Sequence, residues 1–522
     1  MTEHTPVTPL SASEGPANWP RRSVLKAGAL AAGVGLLGRF ADARAAGLLD
    51  SDYQGLDAWA MSEAVRKGEL SGEDLLAAAL ARCSAVNPKV KAVNMLHEDY
   101  ARALLKQSGQ AQGALAGVPV LVKDLNTYLK GTVTSNGSRL FKDAPPAART
   151  STLISRYEQA GALPFGKTTC PEFGLTTTTE SLLWGQTRNP WNLDHSAGGS
   201  SGGAASAVAA GIVPVAHATD GGGSIRIPAS YCGLIGLKPS RYRTPSGPAH
   251  FEGWFGASVG NVVSRSVRDM ALFLDVGQGH EPGSPYWITP LARPYVQELE
   301  REPGKLRVAV VRQSLTGTPL DPAIAATLEQ TIKQLTGLGH ELEELNLAVD
   351  PRQMFGAHGT VIGMALTTLV RDREQALGRA AGPADLEKIT QVVLERARGT
   401  TAEGLYRARQ TFESIGALME SHFERFDLIL SPVTANLTPR IGLLSLDQDW
   451  ATYASHAMGS AGFTALANVS GHPAISLPLG WSPDGLPVGM MFTARLGGED
   501  VLLRLARQLE QAMPWAGKRA VL

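Results

Sequence analysis

The chain has 522 residues, 43% of them hydrophobic and 18% charged, with 48 Lys plus Arg set against 48 Asp plus Glu. That length and composition suit a globular protein with one large core or two smaller ones, and they exclude a mainly disordered chain. The balanced charge supplies neither a basic field for nucleic acid nor an acidic one, so recognition falls to a local site.

Residues 20–26, PRRSVLK, put Arg21 and Arg22 ahead of the weakly apolar run AGALAAGVGLLG at 27–38, which is too short to span a bilayer. ADARAAG then offers Ala43 and Ala45 at signal-peptidase spacing. The order of features resembles a twin-arginine export signal, with cleavage expected after Ala45. Residues 1–45 are therefore set apart from a catalytic domain at 46–522, and the mature protein is expected in the periplasm or secreted, without membrane insertion. The three cysteines, Cys83, Cys170 and Cys232, are too scattered for a disulfide framework and are expected as buried small side chains. The 11 histidines show no metal-binding spacing, so neither a metal nor another cofactor is expected.

In chain order, residues 55–70 and 71–86 carry apolar residues at helical spacing, with Ser71 and Asp74 as a capping-box cue. GVPVLVKDL (117–125) has the character of a buried strand, yet it closes on Lys123. A helix over 151–160 and a second strand with a turn over 161–174 follow. Residues 202–212 read as a helix of small residues able to approach neighbouring backbone closely. KLRVAVVR (305–312) is another strand, Asp321 and Pro322 start a helix, and 352–424 is amphipathic and helical. FDLILSPV, PAISLPLG and LPVGMMFTAR return to strand character. This interleaving argues for an α/β fold, one large domain with helices on both faces of a sheet.

GGSSGGAASAVAAGIVPVAHATDGGGSIR (198–226) places Ser200 and Ser224 in two glycine clusters around core material, unlike a linker. Glycine runs let backbone amides converge on one point, so Gly221, Gly222 and Gly223 leading into Ser224 suggest a nucleophile beside an oxyanion hole. A serine needs a base. His195 and His217 sit in no nucleophile-elbow context, whereas burial of Lys123 would favour its neutral, proton-accepting form. Ser224, Ser200 and Lys123 are thus the candidates.

The stretches GVPVLVKDL, GKTTCPEFG, TRNPWN, GGSSGGAASAVAAGIVP, ATDGGGSIRIPASYCGLIGLKPS and LPVGMMF stand in the order found in the amidase signature family, which this sequence resembles from about 117 to 238 and again near the C-terminus. Residues of about 280–425 match poorly. The resemblance implies a central mixed sheet, a triad of Ser224 as nucleophile, Ser200 as bridging serine and Lys123 as base, and a cis peptide before Ser200. It also implies hydrolysis of a carboxylic amide C–N bond through an acyl-enzyme. Asp220 and Arg226 flank the nucleophile, either orienting the loop or forming an ordinary ion pair. The sequence departs from the family where Gly221 replaces the usual Thr or Ile, a change expected to loosen the loop or enlarge the pocket, and where HSAGGSS lacks a proline. DGGGSIRIPAS is most similar to the branch containing 6-aminohexanoate cyclic-dimer hydrolases.

Phe251, Trp254 and Phe255 either line an apolar substrate pocket or serve as core aromatics. Small linear, aryl or cyclic amides are the favoured substrates. The alternatives are the amidase subunit of a tRNA-dependent amidotransferase, opposed by the export signal, and a non-catalytic binding protein on the same scaffold. The expected partners are a small amide and the twin-arginine machinery, with no nucleic acid and with a homodimer left open.

Overall fold

The buried strand that ends on Lys123 lies within an 11-stranded mixed sheet. The computed structural model describes residues 48–107 and 111–522. The export-signal reading of residues 1–45 falls outside them. The strands are, in chain order, β1 (Val93–Leu96), β2 (Pro119–Lys123), β3 (Leu163–Thr168), β4 (Glu180–Ser181), β5 (Gly185–Gln186), β6 (Arg188–Asn189), β7 (Asn192–Ser196), β8 (Val215–Asp220), β9 (Ile235–Lys238), β10 (Val259–Ser264), β11 (Arg307–Val310), β12 (Glu341–Glu344), β13 (Leu428–Pro432), β14 (Ala474–Trp481) and β15 (Pro487–Ala494). The sheet order is β1-β3-β2-β8-β10-β9-β14-β15-β13-β11-β12, while β4 with β5 and β6 with β7 form separate pairs. β3, β2 and β8 run parallel, as do β13, β11 and β12, and the strands between them are antiparallel. The mixed sheet flanked by helices agrees with the sequence reading.

Local chemistry accounts for most elements. Ser71 and Asp74 form the capping box of the helix Gly72–Val90, each side chain bonding the other's backbone N–H. Asp321 caps the helix Pro322–Gly337, accepting from the Ala323 N–H at 2.9 Å. All five β2 positions are buried, because both of its neighbours are parallel strands covered by helices. The helix Gly202–Ala209 does approach backbone closely: a Cβ on Gly203 would lie 2.4 Å from Thr169 Oγ1 and 2.5 Å from Thr169 N. The helices Pro351–Leu377 and Ala402–His422 bury Met354, Val361, Phe412 and Met419 against the β13–β15 side of the sheet. Truncating a residue buried like Phe412 typically costs about 3–5 kcal/mol. The three cysteines are buried and free. Among the described residues no helix is long and apolar enough to cross a membrane.

The sequence reading passed over β1, β4 to β10 and β12. β8, VAHATD, is buried along nearly its whole length yet carries His217, Thr219 and Asp220. It lacks apolar continuity because His217 and Thr219 meet Lys123 on one face and Asp220 meets Arg226 on the other.

Candidate active site

β2 and β8 are adjacent and parallel, so their C-terminal ends bring Lys123, Thr219 and Asp220 to one place. Lys123 is 0% exposed. Its Nζ lies 2.8 Å from Ser200 Oγ, 2.9 Å from Thr219 Oγ1 and 3.5 Å from the Thr219 carbonyl oxygen. Burial pushes its pKa down to about 7, against the smaller opposing influence of Cys170 and Asp220. Ser200 is buried, and the Gly199–Ser200 peptide is cis. Ser224 is half-buried, and its hydroxyl has no hydrogen bond among the described residues. The structure thus joins Lys123 to Ser200 and leaves Ser224 Oγ free.

The histidines take no part in that contact. His217 accepts the Lys123 backbone N–H on Nδ1 at 3.4 Å, and burial, with Lys123 nearby, pushes its pKa down to about 3. His195 lies on β7 in an isolated bridge with Arg440.

Asp220 and Arg226 are both 0% exposed and are paired through two contacts, Nε to Oδ2 at 3.0 Å and Nη2 to Oδ1 at 2.9 Å. Burial alone would raise the Asp220 pKa, but Arg226 and the surrounding donors hold it well below the usual carboxylate range. The carboxylate also accepts the amides of Gly223 (2.7 Å), Ile225 (3.0 Å) and Arg226 (3.4 Å). The pair is therefore more than an isolated ion bridge, since Asp220 also ties down the backbone on both sides of Ser224.

The carbonyls of the loop are held as well. Asn468 Nδ2 donates to Asp220 O at 3.0 Å, His358 Nε2 lies 2.8 Å from Gly221 O, and Thr464 Oγ1 donates to Gly222 O at 2.7 Å. The Gly223 carbonyl accepts from the Ile227 N–H at 2.8 Å, opening the helix Arg226–Cys232. Because a trans peptide is planar, fixing each carbonyl fixes the opposite direction of the following N–H. The amides of Gly221, Gly222 and Ser224 are aimed in this way, while that of Gly223, which the sequence reading placed with Gly221 and Gly222 in the oxyanion hole, is instead committed to Asp220.

The three aromatic candidates separate. Trp254 lies directly on the loop: a Cβ on Gly221 would sit 2.4 Å from Trp254 Cζ3. The missing side chain thus enlarges nothing, because an indole occupies the space, and this corrects the expectation drawn from Gly221. Phe255 lies under Arg409, with the guanidinium 5.6 Å from its ring centre. Phe251 packs on Gly283 in a separate hollow with Tyr242, His280 and Tyr286. Trp254 and Phe255 diverge within the turn Gly253–Ser258, in which Trp254, Phe255 and Gly256 take φ of 54°, 53° and 80°. Two consecutive bulky residues in the left-handed region hold a costly backbone that turns neighbouring rings apart.

Residues 74–503 match the Amidase family. The chain belongs to that family. Over 475 residues, 89% of this chain and 96% of the relative, it is 38% identical to the 6-aminohexanoate-cyclic-dimer hydrolase of Paenarthrobacter ureafaciens. The solved structure of 6-aminohexanoate cyclic dimer hydrolase complexed with substrate superposes with a TM-score of 0.84 at 37% identity, covering 89% of this chain and 98% of that one. A bacterial aryl acylamidase of the amidase signature family superposes at 0.79 with 27% identity, over 88% and 97% of the two chains. The protein is therefore an amidase, a hydrolase of carboxylic amide C–N bonds.

Sequence reasoning missed four residues that build this amidase's site: Thr219, His358, Thr464 and Asn468. Thr219 was within the quoted ATDGGGS stretch, one place before Asp220, and β-strand alternation from Asp220 would have turned it to the opposite face, toward Lys123. Asn468 lies five residues ahead of the PAISLPLG strand, outside every stretch singled out in the sequence. His358 and Thr464 carried no local signal.

Proposed function

We propose that this amidase cleaves small linear, aryl or cyclic amides through an acyl-enzyme on Ser224, with Ser200 relaying protons to and from Lys123. The observation that carries the reading is the buried Lys123–Ser200 contact of 2.8 Å. A neutral amine has two N–H bonds and one lone pair. Thr219 offers two acceptors to Nζ, its hydroxyl and its carbonyl, at 2.9 and 3.5 Å. The lone pair is then left for the Ser200 O–H, the orientation a base requires.

Ser200, deprotonated by Lys123, takes the Ser224 proton as Oγ attacks the amide carbon. Negative charge develops on the carbonyl oxygen, and the amides of Gly221, Gly222 and Ser224 receive it, each such donor being worth about 3–4 kcal/mol. Ser200 next returns a proton to the departing nitrogen, since an amide anion is a very poor leaving group. Water enters by the same relay and releases the acid. The cyclic-dimer hydrolase and aryl acylamidase relatives support both cyclic and aryl amides as substrates.

The test is amine release from anilides, aliphatic amides and cyclic amide dimers by the protein and by Ser224→Ala. Turnover on at least one class, lost in the variant, is expected; turnover surviving in Ser224→Ala would refute the nucleophile. The Arg21–Arg22 pair and the Ala43-x-Ala45 site support export by the twin-arginine route. Replacing both arginines by lysine should retain the protein in the cytoplasm, and unchanged export would refute that assignment.

A further inference from the structure

We infer that His358, on the helix Pro351–Leu377, is a positioning residue that aims the Gly222 amide into the oxyanion hole; this rests on Ser224 being the nucleophile. A carbonyl oxygen can only accept, so the 2.8 Å contact between His358 Nε2 and Gly221 O requires a hydrogen on Nε2. Burial pushes the ring's pKa down, partly offset by that bond and by Asp220. The Nε2–H is present in both the neutral tautomer and the charged ring, so the donor survives acidification.

The peptide between Gly221 and Gly222 is planar, and its N–H points opposite its C=O. Holding Gly221 O against His358 therefore turns the Gly222 N–H to the other side of the loop. Gly222 has no side chain to resist rotation, so an external anchor must set the plane. The imidazole is itself fixed. Trp254 meets it edge-on at 6.1 Å between ring centres, and Phe412 packs at 6.2 Å. The same Trp254 lies on Gly221, so His358, Trp254 and Gly221 interlock.

The other side chains that anchor the loop's carbonyls, Thr464 and Asn468, come from the C-terminal part of the chain. His358 comes from the helical middle, the segment in which the sequence shows least resemblance to the family. The helical middle thus also touches the oxyanion loop.

The test compares kcat and KM of the full chain, His358→Phe and His358→Gln on an anilide whose cleavage depends on Ser224. Phe keeps bulk and removes the donor, while Gln restores an N–H at similar reach. Complete loss of an oxyanion donor costs about 10²–10³ in kcat. A misaimed donor should cost less, and we expect about a 10- to 100-fold fall in kcat for His358→Phe, KM within about twofold, and recovery to within about threefold in His358→Gln. Unchanged kcat in His358→Phe, a loss confined to KM, or an equal loss in His358→Gln would overturn the inference. Should His358→Phe fail to fold, His358→Asn, too short to reach Gly221, replaces it and must show the kcat loss. Retention of anilide cleavage by Ser224→Ala refutes the underlying mechanism instead, so the two failures are distinct.

Discussion

Lowering the pH should switch this amidase off through one buried amine. With a pKa of 10.5, an ordinary lysine is neutral in about one molecule in 3,000 at pH 7. Burial brings Lys123 down to about 7, so about half the molecules should hold it neutral at that pH, as the proposed base requires. The gain is about 1,600-fold in competent enzyme, equivalent to about 4 kcal/mol of barrier. Below pH 7 the neutral fraction falls, to about 9% at pH 6 and 1% at pH 5, so kcat/KM should lose about tenfold per pH unit. The assay is kcat/KM on an uncharged anilide from pH 5 to 9, with serine labelling by a phosphonate as a second readout. Two other buried amines titrate nearby, Lys238 at about 7 and Lys167 at about 8. Lys238 Nζ bonds the Pro239 carbonyl and Lys167 Nζ bonds Val133 O and Thr134, so neither touches Ser200. Lys238→Met should therefore leave the acid limb in place. A limb centred near pH 4–5, a limb that moves in Lys238→Met, or labelling that retains its limb in Lys123→Ala would refute the assignment.

Gly221→Ala should cut activity sharply, because its Cβ would sit 2.4 Å from Trp254 Cζ3. Trp254→Ala should recover much of that loss in the double variant, and additive losses would show the two positions to be independent. Asp220→Asn leaves Arg226 buried without its counter-charge and should cost about 3–5 kcal/mol in urea unfolding; a change under about 1 kcal/mol would contradict the anchoring role. The Asp220 carboxyl is held below its ordinary 3.8, so its contribution to stability is fully present above that pH and is lost as pH falls further. The difference between parent and Asp220→Asn should therefore shrink in acid.

Lys123 was legible because a charge closing an apolar strand has no bland placement in a doubly covered sheet, and Ser200 and Ser224 because glycine clusters bracketed core material. The helices at 202–209 and 322–337 were legible from small-residue packing and from Asp321–Pro322. What stayed hidden was whatever depends on two distant segments meeting. His358 sits in an amphipathic helix where a buried histidine carries no periodic mark, and it finds Gly221 137 positions away. Trp254 and Phe255 looked alike in sequence; both are left-handed, a backbone choice no propensity favours for Trp or Phe, and their rings part.

The anchors of the Ser224 loop also impose an order in time. Asp220 meets Asn468 across 248 residues of chain. At about 5–20 residues per second, a ribosome needs about 12–50 s to make the second after the first. Throughout that interval the serine exists but the loop lacks the carbonyl holds from Thr464 and Asn468. A nascent or prematurely released chain therefore carries Ser224 before its loop is held, and amide cleavage should begin only once the protein is nearly finished.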